Sequence, residues 1–114
     1  PYYRLKEEGV AVTVAGSGSA SVYTGKSGTR AEVQAAAGDL KALDFDGIVI
    51  PGGYAPDIMR RYPEMIRLVR ESFEAGRLVA AICHAGWVLA SHYPAAFRRD
   101  IKGADLGWSL PQPL

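Results

Sequence analysis

The sequence predicts an α/β domain with a mostly parallel sheet, and three observations carry that prediction. Gly47-Ile48-Val49-Ile50 and Leu78-Val79-Ala80-Ala81-Ile82 are short, continuous apolar runs with the length of parallel strands covered on both faces. A helical stripe lies between them, and strands alternating with helices build a parallel sheet with helices on both sides. The 114 residues suffice for one hydrophobic core and not for two, so residues 1–114 read as a single domain.

The elements follow in order. Residues 2–8 have a helical pattern that Gly9 closes, at the place where a left-handed residue ends a helix. Val10-Ala11-Val12-Thr13-Val14-Ala15 is a β-branched run suited to a buried strand. Gly16-Ser17-Gly18-Ser19-Ala20-Ser21 reads as a surface loop. Its glycines suggest a dinucleotide fingerprint, but Ser21 stands where the third glycine belongs and no helix starts at Val22-Tyr23-Thr24. Val22-Tyr23-Thr24 and Arg30-Ala31-Glu32-Val33 are expected to pair around Gly25-Lys26-Ser27-Gly28. Leu43-Asp44-Phe45-Asp46 leads into the first parallel strand, which stops at Pro51-Gly52-Gly53.

From Asp57 onward, Ile58, Met59, Tyr62, Met65, Ile66, Leu68, Val69 and Phe73 recur at helical spacing. Pro63 divides this stripe into a short helix and a longer one over 63–75, which Gly76 ends. The strand from Leu78 ends at Cys83, and a helix resumes at Gly86-Trp87-Val88-Leu89-Ala90. Beyond Ser91 no period persists, and the prolines among residues 93–114 predict an irregular end.

Composition narrows the function classes. A formal charge of +1 supplies no electrostatic footprint for nucleic acid, so none is expected as a partner. No apolar run approaches the ~20 residues of a membrane helix, and no membrane partner is expected. Arg60, Arg61, Arg67 and Arg70 share their helical region with Asp57, Glu64, Glu71 and Glu74, the pattern of a solvated face. The aromatics Tyr2, Tyr3, Tyr23, Trp87 and Trp108 are too scattered for a stacking platform and are assigned to core or interface packing. One cysteine forms no intramolecular disulfide, and with no leader pattern the expected setting is reducing and cytoplasmic. Cys83, His84 and His92 lack a fourth partner at zinc spacing; neither a metal nor a cofactor is expected.

In a parallel sheet, ligands bind beyond the carboxyl ends of the strands, and two unusual loops lie there: Pro51-Gly52-Gly53 and Cys83-His84. A cysteine between a strand and a helix occupies a sharp turn, and the following helix N-terminus favours its thiolate. Such a turn requires small neighbours, which Ala81, Ala85 and Gly86 supply. Alone, Cys83 would read as a small buried hydrophobe. Its coincidence with His84 and the paired glycines favours a nucleophile. Gly52 and Gly53 let the backbone approach an oxyanion, and the N–H groups of Gly53 and His84 are the candidate donors.

Asp44-Phe45-Asp46-Gly47-Ile48-Val49-Ile50-Pro51-Gly52-Gly53-Tyr54-Ala55-Pro56-Asp57 and Val79-Ala80-Ala81-Ile82-Cys83-His84-Ala85-Gly86-Trp87 resemble the PfpI intracellular cysteine protease family. That family belongs to the class I glutamine amidotransferase-like superfamily, which includes the parkinsonism-associated deglycase. Tyr2-Tyr3-Arg4-Leu5 and Tyr23-Thr24-Gly25-Lys26 extend the likeness over about the first ninety residues. The resemblance implies a flavodoxin-like three-layer sandwich, a nucleophile at Cys83, a catalytic histidine at His84, and an oxyanion hole at Gly52, Gly53 and His84. It also implies a homo-oligomer in which an acid reaches the histidine from an adjacent subunit. That acid falls at Asp57, where the family often has glutamate; the residue's local alternative is to cap the following helix.

The family's first strand, and an acidic residue touching the cysteine, fall upstream of the segment matching Pro1. The chain is therefore expected to lack that strand, to be truncated at its N-terminus and to have diverged after residue 91, although Ile101-Lys102-Gly103-Ala104-Asp105-Leu106 faintly matches a later stretch. Three functional readings follow. The first is a cysteine-dependent hydrolase acting on peptides or on carbonyl adducts of proteins and metabolites, a peptidase or deglycase. The second is a redox-sensing or stress-response binding protein in which Cys83 oxidises. The third is an inactive fragment of the family.

Overall fold

Residues 1–91 are described by the structure, a computed structural model. His92, the predicted irregular end and the segment around Ile101 lie outside the described residues.

Helix α1 spans Tyr2–Glu7, and its end is closed by two backbone bonds: Gly9 N–H donates to Lys6 and Val10 N–H to Leu5, with Gly9 at φ 78°. This is the left-handed stop that Gly9 predicted. The expected buried strand over 10–15 is largely absent. Only Ala15–Gly16 forms β1, and Val10 is 47% exposed. Its partner β4, Ala35–Ala36, runs parallel and offers just two rungs. Just ahead of them, Val14 N–H donates to the Gln34 side chain and Val14 C=O accepts from Gln34 N–H. Ladder pairing stops there, because among the described residues nothing continues it toward Val10.

Gly16 belongs to that strand and not to the predicted loop. It is buried, and a Cβ there would meet Val33 at 2.9 Å. The hairpin forms as expected: β2, Val22–Thr24, pairs antiparallel with β3, Arg30–Glu32, around a turn in which Gly25 N–H donates to Thr29 C=O.

Two 3₁₀ turns, Ala37–Asp39 and Ala42–Asp44, bring the chain to β5, Gly47–Ile50. After α2 (Ala55–Met59) and α3 (Pro63–Glu74), β6 (Leu78–Ala81) pairs parallel with β5, Gly47 opposite Leu78 and Ile50 opposite Ala81. Ile82 N–H extends the ladder by one bond to Ile50 C=O. A 3₁₀ turn, Cys83–Ala85, then feeds α4, Gly86–Ala90. The architecture is α/β.

The core follows from the side-chain period of two in a strand. Ile48 and Ile50 on β5 and Val79 on β6 face Ile66 and Val69 of α3, with Ala85 and Val88 closing the cluster. Ile50, Val69 and Val88 are almost fully enclosed, and each such burial contributes about 1.5–3 kcal/mol. That burial docks α4 and so fixes the turn before it. A second cluster, Ala37, Ala42, Met65 and Leu68, joins both 3₁₀ turns to α3.

Three expectations need correction. The strands are not covered on both faces: Val49 and Leu78, on the side away from α3, are 36% and 68% exposed. The helical stripe is also narrower than its sequence, since Ile58 is 53% and Phe73 42% exposed. In addition, Arg67 is more than part of a solvated face. Its guanidinium pairs with Glu64 and Glu71 and donates to the carbonyls of Ala37 and Leu40, stapling the first 3₁₀ turn to α3. Those two carboxylates, the Glu64 hydrogen bond foremost, raise its pKa above the ordinary arginine value.

Candidate functional site

The carboxyl ends of β5 and β6 deliver two loops to one place. Parallel pairing puts Ile50 opposite Ala81, so Pro51-Gly52-Gly53 and Ile82-Cys83-His84 leave the sheet side by side. A Cβ on Gly52 would lie 2.9 Å from the Cβ of Cys83 and 2.9 Å from the Ile82 carbonyl oxygen. Nothing larger than glycine fits without displacing backbone. Gly53, at φ 78°, takes a left-handed conformation that turns the chain toward α2.

Cys83 sits at φ 56°, the one non-glycine residue with positive φ among the described residues. A left-handed conformation crowds the Cβ against the backbone, and such strain persists only where the surroundings enforce it. Here they are the last β6 rung before it, the Ala85 N–H bond to Ile82 C=O after it, and the enclosed Ala85 and Val88 anchoring α4. The thiol is free and exposed, not packed among aliphatic side chains.

His84 is also exposed, and its ring meets the edge of Trp87 at a centroid distance of 6.2 Å and an angle of 77°. An open cavity of about 140 Å³ lies alongside, lined by Gly53, Tyr54, Asp57, His84 and Trp87. Three sequence-selected residues, Gly53, Asp57 and His84, thus share one cavity; Cys83 and Gly52 flank it and are not among its walls.

Asp57 differs from its expected local role. It lies within the first turn of α2, where a negative charge suits the helix dipole, but Tyr54 holds the N-cap position and no side chain caps the helix. Pro56, fixed near helical φ, allows the helix to start two residues before Asp57. The Asp57 carboxylate instead pairs with Arg60 at 3.5 Å.

Sequence reasoning missed Tyr54, Arg60 and Trp87. Tyr54 is 82% and Trp87 55% exposed at the cavity, so of the core or interface packing expected for Trp87 the core alternative fails, and the Arg60 guanidinium lies 5.6 Å from the Trp87 ring centre. The usable signal was position: Tyr54 directly follows the glycine pair, and Trp87 is three residues after His84, close to one helical turn. A larger open concavity of about 400 Å³ is lined by Lys41, Ala42, Leu43, Glu71, Glu74 and Ala75, none from the two loops at the strand ends, whereas Gly53 and His84 of those loops line the smaller one. Among the described residues no cluster of three metal-ligating side chains occurs, and no helix is long and apolar enough to cross a membrane.

Comparison with known proteins places the chain among relatives. The profile of the DJ-1/PfpI family matches residues 1–99. An uncharacterized protein of Archaeoglobus fulgidus is 40% identical over 99 residues, covering 87% of this chain and 58% of its own length. The deglycase PfpI of Pyrococcus furiosus is 40% identical over 91 residues, covering 80% of this chain and 54% of its own. This chain therefore spans a little over half the length of these two relatives. Among solved structures, a two-domain Anabaena variabilis protein with DJ-1/ThiJ/PfpI-like and ferritin-like domains superposes with a TM-score of 0.74. It is 38% identical, over 88% of this chain and 32% of that protein. With the family profile matching residues 1–99 of 114, the chain belongs to the DJ-1/PfpI family.

Proposed function

We propose that this chain carries a cysteine-dependent hydrolase site acting on peptide bonds or on carbonyl adducts of proteins and small metabolites. The observation that supports it is Cys83: an exposed thiol held at φ 56° where β6 ends, pressed against Gly52. The thiolate adds to a substrate carbonyl carbon, and the carbonyl electron pair moves to oxygen. The N–H groups of Gly53 and His84 are the donors assigned to that anion. For a peptide bond, collapse breaks the C–N bond, the departing amine takes a proton from His84, and an acyl-Cys83 remains. Water, deprotonated by His84, then releases the product and restores the thiol.

Asp57 is bound to Arg60 within its own chain. Its orienting role toward His84 is assigned to an adjacent subunit of a homo-oligomer, acting in the cytoplasm. The name of the Pyrococcus furiosus relative favours the deglycase branch of this reading.

The test uses the full-length protein with two probes, a peptide pre-treated with an α-oxoaldehyde and an unmodified peptide. Cys83→Ala is expected to abolish turnover of whichever probe is processed while circular dichroism stays unchanged; full turnover in the variant overturns the proposal.

A second reading, redox sensing, rests on the exposure of the same thiol. Mass spectrometry after mild peroxide separates the two. Selective, stable oxidation of Cys83 without turnover of either probe favours the sensor.

A further inference from the structure

Three elements meet at the candidate site, and one side chain touches two of them. Arg60 stands at the C-cap of α2, its N–H bonded to Pro56 C=O, so its stem projects from a fixed end. Its guanidinium reaches the Asp57 carboxylate on α2, with Nη1 to Oδ1 at 3.5 Å, and lies against the Trp87 ring of α4 at 5.6 Å. Asp57 and Trp87 both line the cavity, and the Trp87 and His84 rings meet edge to face.

Neither wall residue is held by burial. Trp87 is 55% exposed and the Asp57 side chain 55% exposed, so each is free to change rotamer unless something restrains it. Arg60 is a suitable restraint, because a planar guanidinium can face an aromatic ring and still direct an N–H at a carboxylate, a combination that most cations lack. The arrangement forms a chain from Asp57 through Arg60 and Trp87 to His84.

We propose that Arg60 is a positioning residue of this site. It holds the Trp87 ring and the Asp57 carboxylate so that the cavity beside His84 keeps its width and the Trp87 face stays available to substrate. This rests on the hydrolase reading above for its kinetic consequence and on geometry alone for its spectroscopic one. Arg60 touches no reacting atom; its effect passes through Trp87 and Asp57. Loss of the guanidinium therefore weakens substrate binding more than it slows the chemical step.

The test uses the full-length protein in a background where Trp87 is the only tryptophan. With the native Arg60, the ratio of iodide to caesium quenching of Trp87 fluorescence is expected to exceed that of N-acetyltryptophanamide, an iodide preference, since a cation beside the ring attracts the anion. A ratio at or below that of the free amide overturns the proposal without any variant. Arg60→Gln is expected to remove the iodide preference and raise KM about two- to fivefold with kcat little changed, the scale of an exposed cation–π contact. Arg60→Lys, which keeps a cation, is expected to restore most of the iodide preference and part of the KM. An unchanged iodide preference in a folded Arg60→Gln variant, or a loss confined to kcat, overturns it. Should Cys83→Ala retain turnover while the iodide preference holds, the hydrolase reading fails and the placement of Arg60 stands.

Discussion

Gly52 and Cys83 approach so closely that a methyl group on the glycine would stand 2.9 Å from the cysteine Cβ. The second near atom is the Ile82 carbonyl oxygen, also at 2.9 Å, and it belongs to backbone that is tied into the β5–β6 ladder. A flexible side chain could yield; these atoms cannot without moving the turn. Gly52→Ala is therefore expected to cost about 1–3 kcal/mol of stability by overpacking. Because the displaced atoms carry the thiol, turnover should fall by about 10²-fold, the scale expected for an ångström of misplacement. Denaturant midpoints and the rate of Cys83 alkylation by iodoacetamide check both; a variant with native stability and native alkylation would show the contact to be slack.

Cys83 itself supplies a test of strain against activity. Its φ of 56° is a conformation glycine adopts freely and other residues adopt at a cost of about 1–2 kcal/mol. Glycine also loses more chain entropy on folding, by about 0.4–1 kcal/mol, so the two terms oppose and strain relief is the larger. Cys83→Gly should be more stable than Cys83→Ala by up to about 1 kcal/mol, and both should lack turnover. A Cys83→Ala variant more stable than Cys83→Gly would mean that the turn is unstrained.

The fold was legible wherever pattern and packing agree. Glycine stops at Gly9 and Gly76, the strand at 47–50 and the helix over 63–75 are local signals, read from single residues or short periods. The run over 10–15 was misread because a β-branched sequence states only that a strand would be tolerated; whether it forms depends on a pairing partner, and the ladder to Ala35–Ala36 offers two rungs. The candidate site was legible in Gly53, Asp57 and His84 and not in its aromatic walls, Tyr54 and Trp87. Cys83, Gly52 and Gly53 announce themselves by chain geometry, whereas Arg60 and Trp87 are twenty-seven positions apart and meet only once Val88 has docked α4. Asp57 was assigned one role by the resemblance and a capping alternative by its place before a helix, and its contact with Arg60, three residues on, was hidden among ordinary helix-face charge pairs.

Among those pairs the arginines are unequal. Arg67 is 28% exposed and, besides two glutamates, binds the Leu40 carbonyl and the Ala37 carbonyl, which also accepts from Leu40 N–H. Arg70 reaches Glu74 at only 3.9 Å, with side chains 48% and 64% exposed. Arg67→Ala is expected to destabilise by about 1.5–3 kcal/mol, the range of hydrogen bonds to a charged group. Arg70→Ala should stay within about 0.5 kcal/mol of the parent, as exposed pairs do. Urea denaturation of both variants decides; equal losses would show the Arg67 staple to be another surface pair.

A last prediction concerns the loop once considered for dinucleotide binding. The Tyr23 hydroxyl lies 2.8 Å from Ser17 Oγ and 3.0 Å from Ser19 Oγ, while the two serines are 2.8 Å apart. Hydrogen bonds from Ser17 first, and then Ser19, stabilise the phenolate and lower the Tyr23 pKa below 10.0. A group with a depressed folded pKa binds fewer protons folded than unfolded through the interval between the two values, so stability from this source rises with pH there and is lost as pH falls through the folded pKa. Ultraviolet titration at 295 nm should therefore show a tyrosine ionising ahead of the others, absent in Tyr23→Phe and moved upward in a Ser17→Ala, Ser19→Ala double variant. The parent should also gain stability relative to Tyr23→Phe as pH rises toward 10.0. A titration curve identical in parent and double variant would remove the serine hydroxyls from the explanation.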